Sequence, residues 1–184
     1  MKIGKHLKDK NICEYLLYMW QVEDTIRAFG CDLERIREEY LPGFHFNEAD
    51  EQAEVEWFGN LINMMNEEGC REHGHLQINR GTLSLMVDLH QQLLRSPKHP
   101  FYSAAYYRAL PFIVELRARS ENKEGEVGEL ETCLNCLYGV MMLRLQKRDV
   151  GEETQKAVDA ISHLLALLAD AYRKDKEGTL WVNE

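Results

Sequence analysis

Apolar residues recur every three to four positions along almost the whole chain, and no stretch alternates at period two, so the pattern predicts helices without strands. A first helix is expected over about Lys10–Phe29 with Gly30 as its stop, and a short second one from Asp32 to just before Pro42. "GFHF" then reads as a connecting turn, and Asn47 can cap a third helix that carries Val55, Phe58, Leu61, Ile62 and Met65 to about Glu68. Gly69, Gly74 and Gly81 surround "CREHGHLQINR", which predicts a break before a fourth helix over about Thr82–Arg95, itself stopped by Pro97 and Pro100. The fifth, about Phe101–Ser120, reads "FYSAAYYRALPFIVEL" and is apolar nearly all round, so it is expected to be central, buried on more than one side and kinked at Pro111. A polar connection, "SENKEGEVGE", leads to two more helices over about Leu130–Lys147 and Glu152–Lys174. The expected architecture is all-α: a single-domain antiparallel bundle of about six or seven helices over 1–184, with a basic stretch at 1–9 and a tail at 175–184 too short for a helix.

The same periodicity says which polar residues turn inward. Projected at about 100° per residue, Ile12, Tyr15, Leu16, Val22 and Ile26 share one side of the first helix with Met19. Glu23 falls about 40° from Met19 and inside that arc, whereas Asp24 falls near 140°, outside it. Two adjacent acids thus have different jobs: Glu23 faces the core and Asp24 faces water. An inward Glu needs a partner, because an unpaired buried carboxylate is too costly. Arg27, one turn on, is the nearest candidate. His90 sits within the apolar face formed by Met86, Val87, Leu93 and Leu94, and Arg144 follows Leu137 and Met141 near enough to its helix end to reach solvent. His163 lies opposite the stripe of Val158, Ile161, Leu165, Leu168 and Tyr172. Glu23, Arg27, His90 and Arg144 are therefore the candidate ligand-binding residues. A polar network that fixes helix register explains the same four residues without chemistry, and is the preferred reading.

Charge and cysteine content narrow the classes further. Lys plus Arg number 22 against 31 Asp plus Glu, a formal net charge of -9, which disfavours nucleic-acid binding through repulsion from phosphates. The five cysteines show no framework-like spacing, which fits a reducing compartment. Glu14 interrupts the apolar run after the basic N-terminal stretch, so no secretory signal is expected, and uncharged runs are too short to span a bilayer. The expected location is cytoplasmic, with no membrane partner.

Chemical motifs are sparse. "CREHGH" gathers Cys70, Glu72, His73 and His75, all of types that ligate zinc, but the spacing fits no structural zinc pattern and an exposed polar turn explains it better. Glu72 and His75 form one Glu-x-x-His where a di-iron bundle needs two on inward-facing helices. Cys133 and Cys136 form a C-x-x-C inside an apolar helix with no preceding strand, which favours packing over redox chemistry. No glycine-rich phosphate loop or nucleophile elbow appears. No catalytic residue, metal or cofactor is assigned.

The segment "EYLLYMWQVEDTIRAF", with the helical pattern and the length, resembles a family of small all-helical cytoplasmic proteins from Bacteroidetes classed as a domain of unknown function. That resemblance implies a helical fold and carries no activity, cofactor or catalytic residue over to this chain. The leading expectation is a non-catalytic helical interaction protein that self-associates, because Leu17 projects away from the core arc and Leu180, Trp181 and Val182 make an apolar tip on a polar tail. Docking of that tail on its own bundle competes with it. The alternative is a ligand- or metal-binding bundle protein or enzyme with an interior polar site around Glu23 and His90.

Overall fold

The computed structural model describes residues 2–119 and 127–182, and every regular element among them is helical. Helix α1 (Lys2–Lys10) occupies the basic stretch that was expected to lie outside the helices. Only Asn11 separates it from α2 (Ile12–Ala28), and the Asn11 side-chain oxygen accepts from the Cys13 N–H at 3.1 Å, capping the second helix. A three-residue α3 (Leu33–Arg35), capped by Asp32, widens into a π-helical turn over Ile36–Tyr40 and then tightens into a 3-10 turn over Leu41–Phe44. His45 follows with φ 52, in the left-handed region. The expected second helix is thus α3 and the π-helical turn, and it ends before Pro42, which offers no N–H to carry an α-helix onward. Helix α4 (Glu48–Glu67) begins where Asn47 was expected to cap it, its Oδ1 accepting from the Asp50 N–H at 2.9 Å. Helices α5 (Gln77–Arg95), α6 (Pro100–Arg119), α7 (Glu129–Leu145) and α8 (Glu152–Lys176) complete the chain. The connection "SENKEGEVGE" lies mostly outside the described residues.

The chain divides into two compact units, Met1–Asp9 with Glu14–Thr82, and Lys10–Cys13 with Leu83–Glu184. In the first, α2 buries Tyr15, Leu16, Met19, Trp20, Val22 and Ile26, and α4 buries Phe58, Leu61, Ile62 and Met65. Both sets match the periodicity. An aromatic cluster ties the π-helical turn into this unit: Tyr40 meets Phe44 at 5.0 Å and Phe58 at 6.0 Å, both edge-on, and Phe29 at 5.8 Å.

In the second unit, α6, α7 and α8 contact one another. Helix α8 buries Val158, Ile161, Leu165 and Leu168 on one stripe and leaves His163 exposed, as its spacing required. Each fully buried Leu or Ile there contributes about 1.5–3 kcal/mol of transfer free energy. Helix α6 departs from expectation. It buries Tyr102, Ala105, Ala109 and Ile113 on one face, but Phe101, Tyr107 and Val114 stand 84%, 67% and 58% exposed. Its apolar residues therefore include an outward set, and burial on more than one side is not what they serve. The helix runs through Pro111, whose missing N–H leaves the Tyr107 carbonyl without its helical donor; both residues are exposed, so water can satisfy it. The tail docks on its own unit: the Trp181 indole N–H donates to Asp175 at 2.8 Å, and the ring meets His99 edge-on at 5.1 Å.

Candidate functional site

Glu23 is 0% exposed and Asp24 lies at the surface, so the inward and outward assignment of the two acids holds. The partners of Glu23 come from a part of the sequence that periodicity does not reach. Its Oε1 accepts from the Leu76 N–H at 2.9 Å and from the Asn79 side-chain amide at 2.7 Å. Its Oε2 lies 2.6 Å from His75 Nδ1, and the His75 ring stacks on Trp20 with centroids 4.4 Å apart and planes 17° from parallel. Two of the three contacts are N–H donors by chemistry, so the carboxylate is placed to accept from all three if His75 carries its proton on Nδ1.

This arrangement makes Glu23 a cap delivered from another helix. Helix α5 starts at Gln77, five residues before the expected Thr82, and the residues before it include no Ser, Thr, Asp or Asn to supply a local N-cap. Glu23 takes the Leu76 N–H, and Glu68 takes the Gln77 N–H at 2.6 Å. Two carboxylates thus meet the positive end of α5, where negative charge is favoured. Gly81, read from sequence as a breaker, lies inside the helix with open space around it.

Arg27 does not pair with Glu23. Its guanidinium donates to Asp24 at 2.8 Å, to the Cys70 carbonyl at 3.1 Å and to the Gly74 carbonyl. It holds the loop between α4 and α5, where Gly69 and Gly74 take φ values of 70 and 84 that an L side chain would strain to reach. Arg71 adds a grip on the same loop, donating to Asn66 at 2.8 Å and to the Gly30 carbonyl at 3.1 Å. The candidate ligands in "CREHGH" diverge as a result. Cys70 is buried with its thiol toward backbone carbonyls, His75 turns to Glu23, and Glu72 and His73 are exposed. No cluster of three or more His, Cys, Asp or Glu arranged to hold a metal occurs among the described residues.

His90 and Arg144 belong to the second unit. His90 is 4% exposed, and its Nδ1 lies 2.5 Å from the Tyr102 hydroxyl. Burial pushes the Tyr102 phenol up, so Tyr102 keeps its proton, and the imidazole tautomer decides whether that hydroxyl donates to Nδ1 or accepts from it. His90 Nε2 is buried without a hydrogen-bond partner among the described residues; the Glu129 carboxylate is 4.0 Å away, too long for a hydrogen bond. Glu129 instead accepts from the Tyr106 hydroxyl at 3.0 Å. Burial lowers the His90 pKa, and the Glu129 charge opposes that shift in part. Burial, assisted by the bond to Glu129, pushes Tyr106 up to about 12. Arg144 is exposed and donates to Gln155 at 3.0 Å.

The C-x-x-C pair is chemically quiet. Burial pushes the Cys133 thiol up to about 12 and raises Cys136 as well, the reverse of what a redox-active pair requires. Sequence reasoning found Glu23 and His90, named His75 only as a candidate metal ligand, and missed Asn79, Tyr102 and Glu129. The one available signal was His75, which sits just before the true start of α5.

These sites define an all-helical protein whose interior polar groups are dispersed over two units. The chain belongs to the family described as "Domain of unknown function (DUF4924)", which matches residues 1–179. No curated protein matches the chain, and no solved structure does. Among the described residues, no helix is long and apolar enough to cross a membrane.

Proposed function

We propose that the chain is a non-catalytic helical interaction protein that pairs with a second copy of itself through α6. One observation carries the reading. Ala104, Tyr107, Pro111, Val114 and Ala118 are all exposed, and their spacing alternates three and four along the helix. That is the seam spacing of a helix pair, left uncovered on this chain. Arg108 and Glu115 flank the seam on one side. In an antiparallel pairing centred between Pro111 and Phe112, Arg108 of each copy falls opposite Glu115 of the other, so the face is complementary to itself. Sedimentation velocity at micromolar concentration should report a dimer that Val114→Glu converts to monomer with its helical circular dichroism intact. A wild-type chain that stays monomeric at every accessible concentration sinks the reading.

A second reading, a ligand site within the second unit, draws support from the unpartnered His90 Nε2. Native mass spectrometry of protein from its source cells would expose it as a retained mass that His90→Ala abolishes. If no such mass is found, or the variant retains it, this reading fails.

A further inference from the structure

The aromatic cluster of the first unit lines a partly open cavity of about 140 Å³. Five of its walls are rings: Tyr18 from α2, Tyr40 from the π-helical turn, Phe44 and Phe46 around His45, and Phe58 from α4. Asp50 and Glu54, one turn apart on α4 and both half-buried, supply the polar part of the lining. No lysine or arginine occurs among the described lining residues.

The backbone is arranged to make this wall. A π-helical turn, a 3-10 turn and a non-glycine residue at positive φ follow one another within ten residues, Ile36–His45. Such departures from regular helix cluster at binding sites, because ordinary helix geometry would aim the side chains elsewhere. Here the left-handed His45 lets Phe44 and Phe46 stack face to face, with centroids 5.5 Å apart and planes 10° from parallel. Phe44 remains 46% exposed, so its ring stands at the surface end of this wall.

Size and charge select the ligand. A drug-sized molecule needs about 300–1,000 Å³, whereas a cavity of about 150 Å³ takes a molecule the size of benzene. The negative faces of aromatic rings attract a cation, most strongly one that sheds its water easily, and carboxylates at the same site add to the attraction. An anion would meet two like charges. Burial pushes the Tyr18 phenol up to about 12, with Tyr40 and Tyr15 as lesser causes, so its ring stays neutral at physiological pH.

We propose that this cavity binds a small free organic cation bearing a methylated ammonium group. The proposal is independent of pairing through α6. Calorimetric titration with choline and with its neutral isostere 3,3-dimethyl-1-butanol, at constant ionic strength, tests it. Choline should bind saturably with Kd in the range of about 0.1–1 mM, and the neutral isostere about tenfold more weakly or worse. Glu54→Gln, which keeps the shape, should weaken choline about 3–10-fold, and Phe44→Leu about 2–5-fold. Phe44 is half-exposed, so its substitution spares the core, and circular dichroism verifies that both variants fold. Absence of saturation by about 20 mM choline overturns the proposal. So does equal affinity for the isostere, which would mark a merely apolar cavity, or unchanged affinity in both folded variants, which would put the binding elsewhere.

Discussion

Two buried polar clusters among the described residues are built to different standards. Around Glu23, both carboxylate oxygens are engaged, by Leu76 N–H, Asn79 and His75, and one of those donors is backbone at a helix start. Around His90, one ring nitrogen is bonded to Tyr102 and the other is left facing a carboxylate 4.0 Å away. A cluster that includes a backbone N–H cannot be replaced by hydrocarbon, because the N–H stays when the side chain goes. A pair of side chains can be replaced, since both partners leave together. The first cluster is therefore a condition of the fold, and the second is a local choice with capacity to spare.

The sharpest way to break this contrast is Glu23→Ala. It strands a backbone N–H and an amide in the interior, takes the partner from the half-buried His75 imidazole, and should cost about 3–5 kcal/mol in chemical denaturation. A loss below about 1 kcal/mol would mean that water or rearrangement caps α5 instead. Next in size, His90→Phe should cost about 1–3 kcal/mol by orphaning the Tyr102 hydroxyl, and adding Tyr102→Phe should recover most of that loss. A double variant no better than the single would refute the view that the pair is replaceable.

The pH response should be smaller and of definite sign. Burial lowers the folded-state pKa of His90 below its ordinary 6.5, with Glu129 opposing, and the neighbouring Tyr102 and Tyr106 stay protonated. The unfolded chain then binds the proton first, so stability is complete above about pH 6.5 and falls as pH drops from there toward the folded pKa. His99 adds in the same direction, lowered by burial and then by Lys174 and Lys98. Thermal melts from pH 7.5 to 5.5 should show the decline, and His90→Phe with Tyr102→Phe should flatten part of it. The smallest effect is expected at the other acid: Asp24→Asn breaks a surface pair with Arg27 and should cost less than about 1 kcal/mol. A larger loss there would make the exposed acid as structural as the buried one.

Legibility followed the range of the interactions. The burial of Glu23, the exposure of Asp24 and the Asn47 cap all depend on residues within a turn or two, and period and capping chemistry revealed them. The partners of Glu23 lie more than fifty residues on, and nothing local links position 23 to 75, 76 or 79. The early start of α5 was hidden for the same reason, since its capping carboxylates come from Glu23 and Glu68 rather than from a neighbouring Ser or Asp. Pro42 and "GFHF" were readable as an interruption, but not as the wall of an aromatic cavity. Apolar residues all round suggested a central helix, and α6 does contact both α7 and α8, while the three-four spacing from Ala104 to Ala118, present in the same letters, marks a separate outward face.

The cap on α5 also has a bearing on synthesis. Glu23 leaves the ribosome 53 residues before the Leu76 amide that it will hold. At about 5–20 residues per second, the nascent chain must carry that acid hydrated for roughly 3–10 s. Until then α2 cannot settle its inner face, so the first unit is expected to close in one step once the start of α5 has been translated.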